Sequence, residues 1–167
     1  MVSQLGSNTI LIDAVVHFRT MDFNSADLRV VAFFAHPDDE TMFLGGTLAY
    51  LADLGAKTHF LCATRGEGGE RGNPPLCPPD QLGRVRQAEL ECAVNVLGGA
   101  KLEFLNYIDP PVGPGGELYP FTDDLEGLAK DLGKILDAVQ PQVILTHGPG
   151  GEYGHPAHIQ ANQGIAR

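Results

Sequence analysis

Residues 28–44 read Leu-Arg-Val-Val-Ala-Phe-Phe-Ala-His-Pro-Asp-Asp-Glu-Thr-Met-Phe-Leu. Val30 to Phe34 is an unbroken apolar run, the length of a strand buried on both faces. Four ionisable groups follow within five positions: His36, Asp38, Asp39 and Glu40. Pro37 stiffens the turn and lacks a backbone donor, so strand pairing is expected to stop there. Met42, Phe43, Leu44, Leu48 and Leu51 then recur in a helical pattern. The polar cluster is therefore predicted where a strand ends and a helix begins, the edge at which open α/β sheets bind ligands. An imidazole and a carboxylate three residues apart suit a zinc ion, and the spare carboxylate is a candidate base.

The same alternation runs on along the chain. Thr58–Thr64, Leu102–Leu105 and Val143–Thr146 read as further strands. The first helix is expected to end near Gly55, and Gly45-Gly46 within it suggests close backbone packing near the site. A second helix is predicted over Gln81–Leu97, capped by Asp80 and ended by Gly98-Gly99, with Val85, Leu90, Ala93 and Leu97 buried. Arg86 and Glu89 fall at the spacing of a surface pair on it. A third starts at the Asp123/Glu126 capping box and runs to about Val139, closed by Pro141. Strands alternating with helices predict an α/β fold, a Rossmann-like, mostly parallel sheet with helices on both faces.

Two Gly/Pro-rich loops, Arg65–Pro79 and Asn106–Phe121, each follow a strand and should border the same edge as His36. Neither carries a Walker pattern or a G-x-G-x-x-G opening a helix. A second cluster follows the last strand: His147-Gly-Pro-Gly-Gly-Glu152-Tyr153-Gly154-His155-Pro156-Ala157-His158. Pro156 fits a first helical turn, which puts His155 and His158 at i and i+3. Spacing alone leaves these two equivalent as a further metal ligand. His17 and His59 read as structural. Thr9–Ile12 and Ala14–Val16 suit a strand or helix at the domain edge, and the first eight residues suit a disordered arm.

Composition narrows the function classes. The chain has 167 residues, 43% hydrophobic and 19% charged, with a net charge of −10. That size suits one domain with its own core. The acidic balance argues against nucleic acid or an anionic membrane as partner. No apolar run reaches membrane-spanning length, and the N-terminus lacks a basic segment followed by an apolar one. Cys62 and Cys92 read as small buried residues and Cys77 as a loop residue. An odd cysteine count without a framework points to a reducing compartment, so the expected localisation is cytoplasmic.

Four motifs occur in order: Ala35-His-Pro-Asp-Asp-Glu40, Thr64-x-Gly66-Glu67-x-Gly69, Arg86-x-x-Glu89 ahead of Leu97-Gly98, and Gly154-His155-Pro156-x-His158. Together they resemble the LmbE-like, or PIG-L, family of zinc-dependent N-deacetylases, over residues 28–167. Residues 1–27 would be an N-terminal extension. The resemblance implies one zinc ion per chain held by His36, Asp39 and His158. It implies Asp38 as general base, His155 as oxyanion stabiliser or general acid, and Tyr153 as a group polarising the amide carbonyl. It implies that Arg86 and Asp109 contact hydroxyls of a small N-acetylated amino-sugar substrate. The reaction expected is removal of an acetyl group from an N-acetylglucosamine-type amide.

Two departures from the family pattern stand out. Many bacterial members carry Asp where this chain has Ala157. Family domains also continue well past the position of Arg167, so the deacetylase domain is expected to be incomplete at its C-terminus, with a homo-oligomer as one way to cover an exposed core. The competing reading is a non-catalytic remnant of the same fold that still binds metal or sugar.

Overall fold

The computed structural model describes residues 10–12 and 27–167. His17 and Ala14–Val16 lie outside the described residues. The elements, in chain order, are β1 (Ile10–Ile12), β2 (Arg29–Phe34), α1 (Asp39–Asp53), β3 (Lys57–Cys62), α2 (Leu82–Val96), β4 (Lys101–Phe104), α3 (Leu125–Val139), β5 (Val143–Thr146), the single turn α4 (Gly151–Gly154) and α5 (Pro156–Ile165). The strands form one five-stranded sheet in the order β1-β5-β2-β3-β4. Every neighbouring pair is parallel. The fold class expected from the sequence is the one observed, and the segment before residue 28 contributes β1 to an edge.

Strand alternation explains the two helical layers. Val31, Phe33 and Ala35 project to one face, where they pack with Leu128, Leu132 and Leu136 of α3 and Ala157, Ala161 and Ile165 of α5. Val30, Ala32 and Phe34 project to the other face, against Leu44, Leu48 and Leu51 of α1 and Leu90 and Val94 of α2. Phe33 and Phe60 are fully buried, and each contributes about 2–3 kcal/mol by leaving water.

The strand order also positions the site. From β2 the chain moves outward to β3 and β4, then returns to place β5 on the other side of β2. The crevice between β2 and β5 is thus a topological switch point, where neighbouring loops part and leave room for a ligand. The first polar cluster leaves β2 and the second leaves β5, so both open onto this crevice.

Several local expectations need correction. Asp80 does not cap α2. It sits in a 3-10 turn, Pro79–Gln81, that leads into the helix. Buried positions on α2 are Leu82, Gly83, Leu90 and Val94, while Val85, Ala93 and Leu97 are half-buried and Cys92 is exposed. The α3 cap is Asp124, whose carboxylate accepts the Gly127 N–H, and not Asp123. Gly45 and Gly46 show no close approach: a side chain at Gly46 would meet nothing within 4 Å. Nothing in the structure explains that pair. His59, by contrast, has its Nε2 3.5 Å from Glu103 Oε2 on β4, away from the switch-point crevice, as a structural histidine would.

Candidate metal centre and active-site pocket

The turn after β2 is held by its own carboxylates. The His36 N–H donates to Asp39 Oδ2 at 2.8 Å. Glu40 accepts the Asp38 N–H at 3.1 Å and the Thr41 hydroxyl at 2.5 Å, so its buried carboxylate is engaged within the turn. Asp38 adopts φ 107°, ψ −30°. Such a backbone costs a non-glycine residue about 1–3 kcal/mol and persists where surroundings enforce it. The side chain of Asp38 is 60% exposed, which leaves it as the one carboxylate of the three open to a substrate.

Asp39 lies at the centre. It is 4% exposed, with one oxygen 3.4 Å from His36 Nδ1 and 3.3 Å from His147 Nε2, and the other 3.3 Å from His158 Nε2. Burial opposes its charge, but the imidazoles of His147, His158 and His36 outweigh that and hold its carboxyl well below the usual range. On its other edge, His36 Nε2 lies 3.3 Å from Asp109 Oδ1. Burial alone would lower the His36 pKa, yet Asp109 and Asp39 push it up to about 9.

This donor set fits a divalent cation. Tetrahedral zinc with bonds near 2.0–2.1 Å has ligand atoms about 3.3–3.4 Å apart; His36 Nδ1 lies 3.4 Å from Asp39 Oδ2 and His158 Nε2 lies 3.3 Å from Asp39 Oδ1, each at that spacing from a different oxygen of the carboxylate. Two triads have converging ligand atoms among the described residues, His36/His155/His158 and Asp39/His147/His158. The triad expected from the sequence, His36, Asp39 and His158, is neither of these: it shares His36 and His158 with the first and Asp39 and His158 with the second.

The second cluster leaves β5 at His147, and α5 begins at Pro156. His155 is the N-cap of α5, and its Nδ1 accepts the Ala157 N–H at 3.2 Å. A backbone N–H only donates, so the neutral imidazole carries its proton on Nε2. Burial and the neighbouring His36 and His158 lower the His155 pKa to about 4. Three imidazoles stack here, His147 on His158 at 3.9 Å and His158 on His155 at 4.4 Å. Tyr153 stands edge-on to both His155 and His158 and is 67% exposed. Burial, with the charges of Asp39 and Asp38, raises its hydroxyl pKa.

Arg86 does not pair with Glu89. Its guanidinium donates to Asp38 Oδ2 at 2.7 Å and to the Pro37 carbonyl at 2.5 Å. Burial raises the Asp38 carboxyl pKa, with the Arg86 cation offsetting part of the rise. Gly66, at φ +66°, lies against this guanidinium, which occupies the space a side chain would need. Glu67 ties the two long loops together by accepting N–H bonds from Arg65 at 3.1 Å and Asp109 at 3.2 Å. Gly68 packs directly on the Pro110 backbone, leaving no room for a Cβ.

All eight sequence-predicted site residues, His36, Asp38, Asp39, Arg86, Asp109, Tyr153, His155 and His158, line one cavity of about 680 Å³. Its outer wall carries Met42, Val112, Leu118 and Tyr119. Ala157 does not face the cavity. It is fully buried in the α3–α5 core, so the carboxylate absent there is not simply missing from the pocket wall. Two residues given no role from sequence belong to the centre, His147 and Glu152. An acid in a glycine-rich turn between the strand-edge His147 and the His155/His158 pair was the available signal.

The sequence pattern of the PIG-L family, described as GlcNAc-PI de-N-acetylase, matches residues 31–167. The 1D-myo-inositol 2-acetamido-2-deoxy-alpha-D-glucopyranoside deacetylase of Kineococcus radiotolerans is 34% identical over 158 residues, covering 83% of this chain and 44% of that protein. The corresponding deacetylase of Segniliparus rotundus is 39% identical over 152 residues, covering 81% and 48%. The N,N'-diacetylchitobiose deacetylase of Pyrococcus horikoshii superposes with a TM-score of 0.65 at 29% identity, over 80% of this chain and 46% of that one. GalB, the 4-carboxy-2-hydroxymuconate hydratase of Pseudomonas putida, superposes at 0.60 with 26% identity, over 82% and 55%. The chain spans about half the length of the curated relatives it matches. With a matching family pattern over most of its length, the chain belongs to the PIG-L (LmbE-like) family.

Proposed function

We propose that this chain carries the metal centre of a zinc-dependent N-deacetylase acting on an N-acetylglucosamine-type amide. The observation that carries this reading is the buried Asp39 ringed by imidazoles, with the exposed Asp38 beside it in the same pocket. His36, Asp39 and His158 would hold the ion. Bound there, zinc acidifies water and polarises an acyl oxygen. Asp38 takes the proton of the attacking water, and Arg86 fixes the direction of its carboxylate. His155 offers Nε2–H to the oxygen on which negative charge develops, as a neutral donor oriented by the α5 N-terminus. Tyr153 stands at the same mouth as a second donor. Asp109, its backbone N–H held by Glu67 and its carboxylate against His36, lines the same pocket and suits a sugar hydroxyl. Three free cysteines suit a cytoplasmic setting. Among the described residues no helix is long and apolar enough to cross a membrane.

The test is Asp38→Asn in zinc-loaded protein, assayed by acetate release from N-acetylglucosaminides. Turnover should fall about 10²–10⁴-fold while zinc is retained. Full turnover in the variant would remove Asp38 from the mechanism. A parent chain that binds zinc but deacetylates no N-acetylglucosaminide would favour the non-catalytic reading.

A further inference from the structure

We propose that Glu152 is the positioning residue of this centre: its carboxylate clamps the Nδ1 edges of His158 and His147, so that His158 presents Nε2 to the ion while His147 serves as a support and not as a ligand. The proposal rests on the reading of His158 as a metal ligand.

Glu152 Oε2 lies 2.8 Å from His158 Nδ1 and 3.1 Å from His147 Nδ1, and Oε1 accepts the Gly148 N–H at 2.9 Å. A carboxylate only accepts, so each imidazole carries its proton on Nδ1. For His158 that leaves Nε2, 3.3 Å from Asp39 Oδ1, as the nitrogen that would bind an ion beside that carboxylate. For His147 a second contact favours the same tautomer: its Nε2 accepts the Ala35 N–H at 3.1 Å, closer than its 3.3 Å approach to Asp39 Oδ2. The lone pair that a metal would need is thereby occupied, although the Asp39, His147 and His158 donor atoms converge. His147 therefore links the ends of β2 and β5 and supports one flat face of His158, with His155 on the other.

The backbone supports this assignment. Glu152 sits at φ 56°, ψ −69° inside α4, a conformation costing about 1–3 kcal/mol. Its side chain is 20% exposed, and Oε2 holds both imidazoles while Oε1 is tied to the Gly148 N–H. A carboxylate on the outer nitrogen of a ligating histidine fixes the ring and raises its basicity, and losing it typically weakens metal binding about 10–100-fold.

Two measurements test the clamp. Zinc affinity of Glu152→Gln, by competition with a chromophoric chelator, should fall about 10–100-fold in protein whose far-ultraviolet spectrum is that of the parent. An affinity within about threefold of the parent, below that range, overturns the proposal. The second needs no variant: long-range nitrogen–proton correlation spectra of the metal-free parent should show neutral His147 with its proton on Nδ1. A proton on Nε2 overturns the proposal even if the variant fails to fold. Because that spectrum is taken without metal, a parent that takes up no zinc refutes the ligand assignment separately from the His147–Glu152 contact.

Discussion

The docking of α5 on α3 should control the metal centre from a distance. Gly164 packs on α3 where an added Cβ would lie 2.7 Å from Leu128 Cδ2, 2.9 Å from Leu128 Cγ and 3.1 Å from Leu132 Cδ1. Both leucines are essentially without solvent exposure, so neither has open space to move into. Carbon atoms rest about 3.5–4.0 Å apart, so Gly164→Ala must separate the helices by roughly 1 Å. Overpacking costs about 1–3 kcal/mol, and replacing glycine within a helix returns about 1 kcal/mol. Melting should therefore drop by only a few degrees, at about 2–4 °C per kcal/mol for a chain of this size. The larger effect should be on His158, carried on the same rigid helix. A misplacement near 1 Å is enough to cost about 10²-fold in a site that depends on geometry, so zinc affinity should fall about tenfold or more. Adding Leu128→Ala makes room. It costs about 2–5 kcal/mol of stability yet should restore most of the zinc affinity, so the two readouts move in opposite directions. If Gly164→Ala melts lower but binds zinc like the parent, the α3–α5 contact does not position His158 and the reasoning fails.

Three further outcomes follow from the same geometry. In the metal-free chain the His36 pKa is raised from 6.5 to about 9, so the stability it contributes is fully present below about pH 6.5 and is lost as pH rises through about 9. Urea midpoints should decline across that window, and His36→Gln should flatten the decline. Zinc must displace the same proton, so apparent affinity should rise about tenfold per pH unit between roughly pH 6.5 and 9, whereas a pH-independent affinity would take His36 out of the ligand set. Gly66→Ala should push the Arg86 guanidinium off Asp38, lowering kcat by about 10–100-fold with zinc content unchanged. A normal kcat would show that Asp38 does not need Arg86.

Much of this architecture is legible in the residues themselves. The run Val30–Phe34 is apolar at every position because both faces of β2 are covered, odd residues by α3 and α5 and even residues by α1 and α2. His36, Asp39 and the His155/His158 pair stand out because polar groups cluster where apolar strand patterns stop, while the choice of His158 over His155 rests on the family resemblance and not on spacing. What stayed hidden depends on three-dimensional choices that spacing does not encode. Glu152 reaches back to His147 and His158 only through a positive-φ turn, a conformation that glutamate seldom adopts. Arg86 and Glu89 have the spacing of a helix pair, but Asp38 lies nearer to the guanidinium. Asp123 and Asp124 are adjacent acids, either able to cap α3, and the helix starts one residue later than the capping-box pattern suggests. Cys92 is apolar enough to be read as buried, yet its position on α2 faces solvent.

His36, Asp39 and His158 are proposed together to hold a catalytic ion. The most direct measurement is zinc stoichiometry by elemental mass spectrometry of the purified chain and of Asp39→Asn, each equilibrated with zinc and then freed of unbound metal. About one zinc is expected in the parent, as in open three-ligand sites, and almost none in the variant. A parent that retains no zinc, or an Asp39→Asn chain that retains as much as the parent, would contradict that assignment.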